Sequence, residues 1–120
     1  MAAFYAARRD QNVGMMRRLL DPNVVWHRPG TTAVEYNRAD DVVSSITAVA
    51  ELGRASQLGL TPSGYLEAGE MVACLIRWAT ETPAASIGDE LAVYRIAAGR
   101  IVEAFFYPSF PWERVRSATV

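Results

Sequence analysis

MVACLIRWATETPAASIGDELAVYRIAAGRIVEAFFYP, residues 71–108, is the stretch that decides the fold. Val72, Cys74, Ile76 and Trp78 alternate with Ala73, Leu75 and Arg77. Glu90, Ala92, Tyr94 and Ile96 form a second set of alternate residues. Val102, Ala104, Phe106 and Pro108 form a third, set against Glu103, Phe105 and Tyr107. A period of two means extended chain with its two faces in different surroundings. With one more segment upstream, the chain reads as four strands, about 57–67, 70–82, 87–97 and 100–108. The turn signals EAGE, ETPAAS and AAG between them are too short for crossovers, so neighbouring strands are antiparallel.

Upstream the period changes. Phe4, Ala7, Val13, Met16, Leu19 and Leu20 fall near helical spacing, interrupted by Asp10-Gln11-Asn12 and Gly14. Two short helices or one broken helix would fit, stopped by the turn chemistry of Asp21-Pro22-Asn23. Residues 24–28 read as a strand ended by Pro29-Gly30, and TTAVEYN after it as a loop. A second helix is expected over roughly 39–52, capped by Asn37 or Asp40 and lined by Val42, Val43, Ile46, Val49 and Leu52. Gly53 would stop it. Helices, a strand, a helix and then a run of strands predict an α+β domain over 1–120, with helices on one side of a curved antiparallel sheet.

Composition excludes several chemistries. Twelve basic and 13 acidic residues give a net charge of −1, with no basic field for a phosphate backbone; nucleic acid is not an expected partner. All the basic residues are arginine, so Schiff-base chemistry through lysine is excluded. One cysteine, Cys74, allows neither an internal disulfide nor a thiolate zinc site. Paired metal-binding histidines, a phosphate-cradling glycine loop and a nucleophile elbow are absent from the pattern, and neither metal nor cofactor is expected. Apolar runs are too short for a membrane span, and the charges of MAAFYAARRD follow its apolar part, the reverse of a secretory signal. The expected location is the cytoplasm.

FYAARRDQNVGMMRRLLDPNVVWHRPG, residues 4–30, and YRIAAGRIVEAFFYP, residues 94–108, resemble the nuclear-transport-factor-2-like superfamily, and within it the SnoaL-like polyketide-cyclase relatives. The resemblance implies a cone-shaped, cystatin-like fold, in which a bent sheet wraps the N-terminal helices and leaves an apolar pocket. It also implies dimers formed through the outer sheet face. The superfamily includes isomerases, cyclases, dehydratases, epoxide hydrolases and inactive binding proteins, so the fold does not fix an activity. Matching positions depart from two of these mechanisms. Arg28 stands where ketosteroid-isomerase-like relatives have a catalytic carboxylate, Phe4 where they have a tyrosine and Ala92 where they have a protonated aspartic acid. Trp26, Arg28 and Phe106 stand where epoxide-hydrolase relatives have a tyrosine, an asparagine and an aspartate.

Strand parity then nominates the site. Val24, Trp26 and Arg28 share the face expected to look inward, and Val25 and His27 the other. Arg28 can anchor an anion or pair with a buried acid such as Glu90. His27 can act as a base, or sit at a dimer or helix contact. Glu90 can transfer protons if desolvated, or face water at a strand start. Trp26, Trp78, Tyr94 and Phe106 can line a pocket for a small hydrophobic molecule or simply fill the core. Phe105 and Tyr107 would leave an apolar outer patch, covered either by a second copy in a homodimer or by helices or the tail PSFPWERVRSATV. Trp112 of that tail can close the pocket mouth or join the interface. The reading is a cofactor-free isomerase, cyclase or dehydratase for a hydrophobic carbonyl compound, with Arg28, Glu90 and His27 as catalytic candidates. The alternative is a non-catalytic ligand-binding or dimeric interaction module.

Overall fold

The computed structural model describes residues 1–56, 58–81 and 84–109, with side chains described outside 52–61 and 79–87. Trp112 and the tail lie outside the described residues. Two short helices open the chain, α1 (Ala2–Arg9) and α2 (Val13–Leu19). Between them Gln11 takes a left-handed φ of 55°, and the Asn12 side chain caps α2 by accepting the Met15 N–H at 3.1 Å. Strand β1 (Leu20–His27) leads to a three-residue strand β2 (Val34–Tyr36), then to helix α3 (Ala39–Ser56). Four strands follow: β3 (Leu58–Ala68), β4 (Met71–Glu81), β5 (Ala84–Ala97) and β6 (Arg100–Pro108). Among the described residues, no helix is long and apolar enough to cross a membrane.

The six strands form one open, curved sheet in the order β2-β1-β6-β5-β4-β3. Every neighbouring pair is antiparallel except β1 and β6, which run parallel. The all-antiparallel expectation is corrected there. Short turns dictate antiparallel neighbours only from β3 to β6, whereas β1 and β6 are linked by a long crossover through the rest of the chain. The β5–β6 hairpin turns on Ala98 and Gly99 with φ of 52° and 75°, the left-handed pair that matches strand twist.

Three local readings change. Asp21-Pro22-Asn23 does not end the helical region ahead of a strand; it lies within β1. The Asp21 carboxylate accepts the Asn23 N–H at 2.8 Å, and the register slips between Leu20 and Val25, so the turn chemistry makes a bulge. The segment expected to be a loop supplies β2, with Tyr36 opposite Trp26. Helix α3 runs through Gly53 to Ser56, past the residue expected to stop it. Asp40 is inside its first turn and pairs with Arg17 at 2.9 Å.

The core lies between the helices and one sheet face. Ala39, Val42, Val43 and Ile46 of α3 are buried at helical spacing, and Phe4, Tyr5 and Ala7 of α1 join them. The sheet contributes Val24 and Trp26, Cys74, Ile76 and Trp78, Ala92 and Tyr94, and Ala104 and Phe106. Alternation is kept along Val72–Trp78 of β4 and Glu90–Tyr94 of β5, while a slip between Arg95 and Ile96 puts Ile101 rather than Val102 in the core.

Candidate active site

Glu90 is the one acid among the buried described residues, with 3% of its surface exposed. It lies on the inner face of β5, between Ile76 of β4 and Pro108 of β6 in the register. Its Oε2 is buried, and the Trp78 indole is the hydrogen-bonding side chain beside the carboxyl. Burial pushes its carboxyl from 4.5 up to about 7, against the opposing pull of a Trp78 hydrogen bond and the Arg8 charge. A buried carboxyl held near neutrality suits general acid–base work.

One turn of α1 brings phenol and cation to the same face. The Tyr5 and Tyr94 hydroxyls meet at 2.6 Å in the core, and burial raises both above the usual phenol range. The Arg8 guanidinium lies 5.6 Å from the Tyr5 ring centre and 6.0 Å from that of Phe4, and its charge is felt by both Glu90 and Tyr94. Around Tyr94 the rings pack closely: Trp26 and Phe106 are 4.9 Å apart between centres, and each lies about 6 Å from Tyr94. The Cys74 thiol is pushed up mainly by burial, which argues against a thiolate nucleophile. A groove of about 440 Å³ opens at the far end of β5, floored by Phe4, Val72, Ile96 and Ile101 and bounded by the turns at Gly69 and Gly99. Its lining includes Phe4 but not Glu90, Trp26, Tyr94 or Phe106.

A family model described as a SnoaL-like domain matches residues 1–104. The chain belongs to the SnoaL-like family. No curated protein matches it. Among solved structures it is similar to a Xanthomonas campestris protein of unknown function with a cystatin-like fold, at 16% identity and TM-score 0.75, over 98% of this chain and 92% of the other. It is also similar to IdmH, a proposed polyketide cyclase from Streptomyces antibioticus, at 16% identity and TM-score 0.73, over 98% and 93% of the two chains. A proposed polyketide cyclase from Sinorhizobium meliloti gives 13% identity and TM-score 0.68, over 87% and 89%. At these identities the likeness establishes the cystatin-like, nuclear-transport-factor-2-like fold.

Within this SnoaL-like chain the sequence candidates separate. Trp26, Trp78, Tyr94, Phe106 and Glu90 all come to the inner face, each at most 8% exposed. Arg28 does not, and the inward placement is corrected: β1 ends at His27, its register slips between Trp26 and His27, and Arg28 is exposed. The Arg28 N–H instead opens a loop by bonding the Ala33 carbonyl at 2.8 Å. His27 is buried on the outer face, stacked on Phe105 with ring centres 4.1 Å apart. Its nitrogens are both engaged, Nδ1 with the Thr32 carbonyl at 2.9 Å and Nε2 with Glu103 Oε2 at 2.8 Å. Facing away from Trp26 with no free nitrogen, it is removed from the proton-transfer candidates. Arg28 and Glu90 are likewise not a pair. Two residues that strand parity does not single out, Tyr5 and Arg8, join the site from α1. Phe4 occupies the position matched to a family tyrosine, yet the next residue carries the phenol, and Arg8 follows Phe4 and Tyr5 at helical spacing.

Proposed function

We propose that this SnoaL-like protein performs cofactor-free proton transfer on a small hydrophobic carbonyl compound, as an isomerase, cyclase or dehydratase does. The observation that carries the reading is Glu90: a buried carboxyl on the inner face of the sheet, held near neutral pH by its surroundings. Ionised, Glu90 takes a proton from carbon next to the carbonyl, and the electron pair of that C–H bond moves to give an enolate. Arg8 is the cation placed to stabilise that negative charge, since its field already reaches Glu90 and Tyr94. The protonated Glu90 then returns the proton to a different atom. Trp26, Trp78, Tyr94 and Phe106 offer apolar surface to the body of such a substrate. The proposed polyketide cyclases among the structural neighbours support this class of compound.

Deuterium exchange provides the test. A panel of hydrophobic ketones and β-dicarbonyl compounds in heavy water should exchange α-protons faster with the protein than without it. Exchange should rise with pH through about 7 and vanish in Glu90→Gln. Exchange that survives in Glu90→Gln would remove Glu90 from the mechanism.

Two observations favour a second reading, a non-catalytic binding or interaction module. Positions 28, 92 and 106 lack the acids of related enzymes, and the described groove does not reach Glu90. Ligand binding without proton exchange across the panel would establish it. We also propose that a second copy covers the outer sheet face. Leu75, Leu91 and Tyr107 stand in one cross-strand row on that face, 45%, 40% and 51% exposed.

A further inference from the structure

The outer-face histidine is a hydrogen-bond problem with few solutions. His27 Nδ1 lies 2.9 Å from the Thr32 carbonyl oxygen and Nε2 lies 2.8 Å from Glu103 Oε2. A backbone carbonyl only accepts, and an ionised carboxylate only accepts. A neutral imidazole has one N–H, so it satisfies one partner and turns a lone pair on the other. Both contacts are favourable only if the ring and Glu103 together hold one proton more than a neutral ring beside a carboxylate. The other oxygen of Glu103 faces the Arg95 guanidinium at 3.5 Å, which favours the carboxylate and leaves the extra proton on the ring. The charged groups on the elements around the ring are therefore Glu103 of β6 and Arg95 of β5. Its chain neighbour Arg28 and Glu35 of β2 are both exposed.

We propose that His27 is a doubly protonated pin that ties the 28–33 loop to β6, and that loss of one proton frees the Thr32 side of that loop. The bond that gives way follows from strength. The contact to Glu103 is charge-assisted and about twice as strong as a neutral one, so a neutral ring keeps Nε2–H toward Glu103 and releases Thr32. The loop also borders the candidate site: the Gly30 N–H donates to the Phe106 carbonyl at 2.8 Å, and Phe106 packs on Trp26. Gly30 stays anchored when Thr32 lets go, so the opening is confined to the segment closed by Arg28 N–H on the Ala33 carbonyl. His27 is thus a positioning residue acting from the back of the sheet. This inference does not depend on Glu90 chemistry.

The experiment uses the full chain labelled with ¹⁵N histidine; one histidine means one ring in the spectrum. Near the low end of a titration from about pH 5 to about pH 9, both ring nitrogens should carry protons. As pH rises Nδ1 should lose its proton while Nε2 keeps its own. Exchange of the Arg28 amide, corrected for its intrinsic pH dependence, should then speed by roughly ten-fold, as expected for losing one ordinary hydrogen bond. Glu103→Gln is the decisive variant. Its amide can donate to a bare Nε2, leaving Nδ1–H on Thr32, so its loop exchange should be independent of pH across the same range. An unchanged loop in the wild type while the ring loses a proton would overturn the proposal. So would a Glu103→Gln loop that opens with pH as the wild type does.

Discussion

The two faces of the sheet treat a carboxylate in opposite ways. On the outer face, Glu103 has His27 on one oxygen and Arg95 on the other. On the inner face, Glu90 is buried with no ion pair among the described residues, between Ile76 and Pro108 in the register and beside Trp78. The two residues occupy neighbouring strands of one sheet, so the difference is one of surroundings. A paired charge serves to hold the fold; an unpaired one is stored reactivity, kept at a cost to folding.

The largest effect that tests this contrast is on turnover. Glu90→Gln should lower catalysed α-proton exchange by about 10²–10⁴-fold, the usual contribution of a general base, with circular dichroism unchanged. If Glu103→Gln costs as much, the distinction between the faces is lost.

Stability against pH comes next. Glu90 is held at about 7 in the fold against an ordinary value of 4.5, so between those values the folded state binds the extra proton. Its contribution is fully favourable below about 4.5 and is lost as pH rises through about 7. The total loss is about 3 kcal/mol, since a tenfold change in proton affinity is worth about 1.4 kcal/mol. Urea midpoints across this range should fall with rising pH in the wild type, and this component should disappear in Glu90→Gln.

Smaller again is Tyr5→Phe. It leaves the Tyr94 hydroxyl without its 2.6 Å partner and should cost about 1–2 kcal/mol by denaturant unfolding. The smallest change in the fold itself should come from Leu91→Ser, within about 0.5 kcal/mol for the isolated chain. Light scattering should nevertheless show dissociation if a second copy covers the Leu75–Leu91–Tyr107 row. Unchanged mass would leave that face uncovered by a copy of the chain.

The inner face is legible in the sequence wherever strands are long and regular. Trp78, Glu90, Tyr94 and Phe106 lie where period-two counting puts them, because β4, β5 and the outer part of β6 hold their register over those residues. Counting fails at β1. Slips on both sides of Val25 and Trp26 reset the parity, so it places Trp26 correctly and Arg28, two residues on, on the wrong side. A bulge is settled by tertiary pairing, and β1 pairs with β6 at the other end of the chain. Strand β2 is hidden from counting because three exposed or half-buried residues carry little hydrophobic pattern. The Tyr5–Tyr94 contact needs the docking of α1 on the sheet, which no local period specifies.

The parallel pairing of β1 with β6 bears on how the molecule is made. Leu20–His27 emerges early in synthesis, yet its neighbour Arg100–Pro108 is among the last described segments to be translated. Until then Trp26 and Val24 lack the flank that buries them, so β1 waits as an exposed apolar strand. Closure over so long a loop gives high contact order, and this junction is the natural rate-limiting step of folding. Ribosome-stalled chains that stop short of β6 should therefore remain sensitive to protease at β1 even with the β3–β4–β5 meander complete.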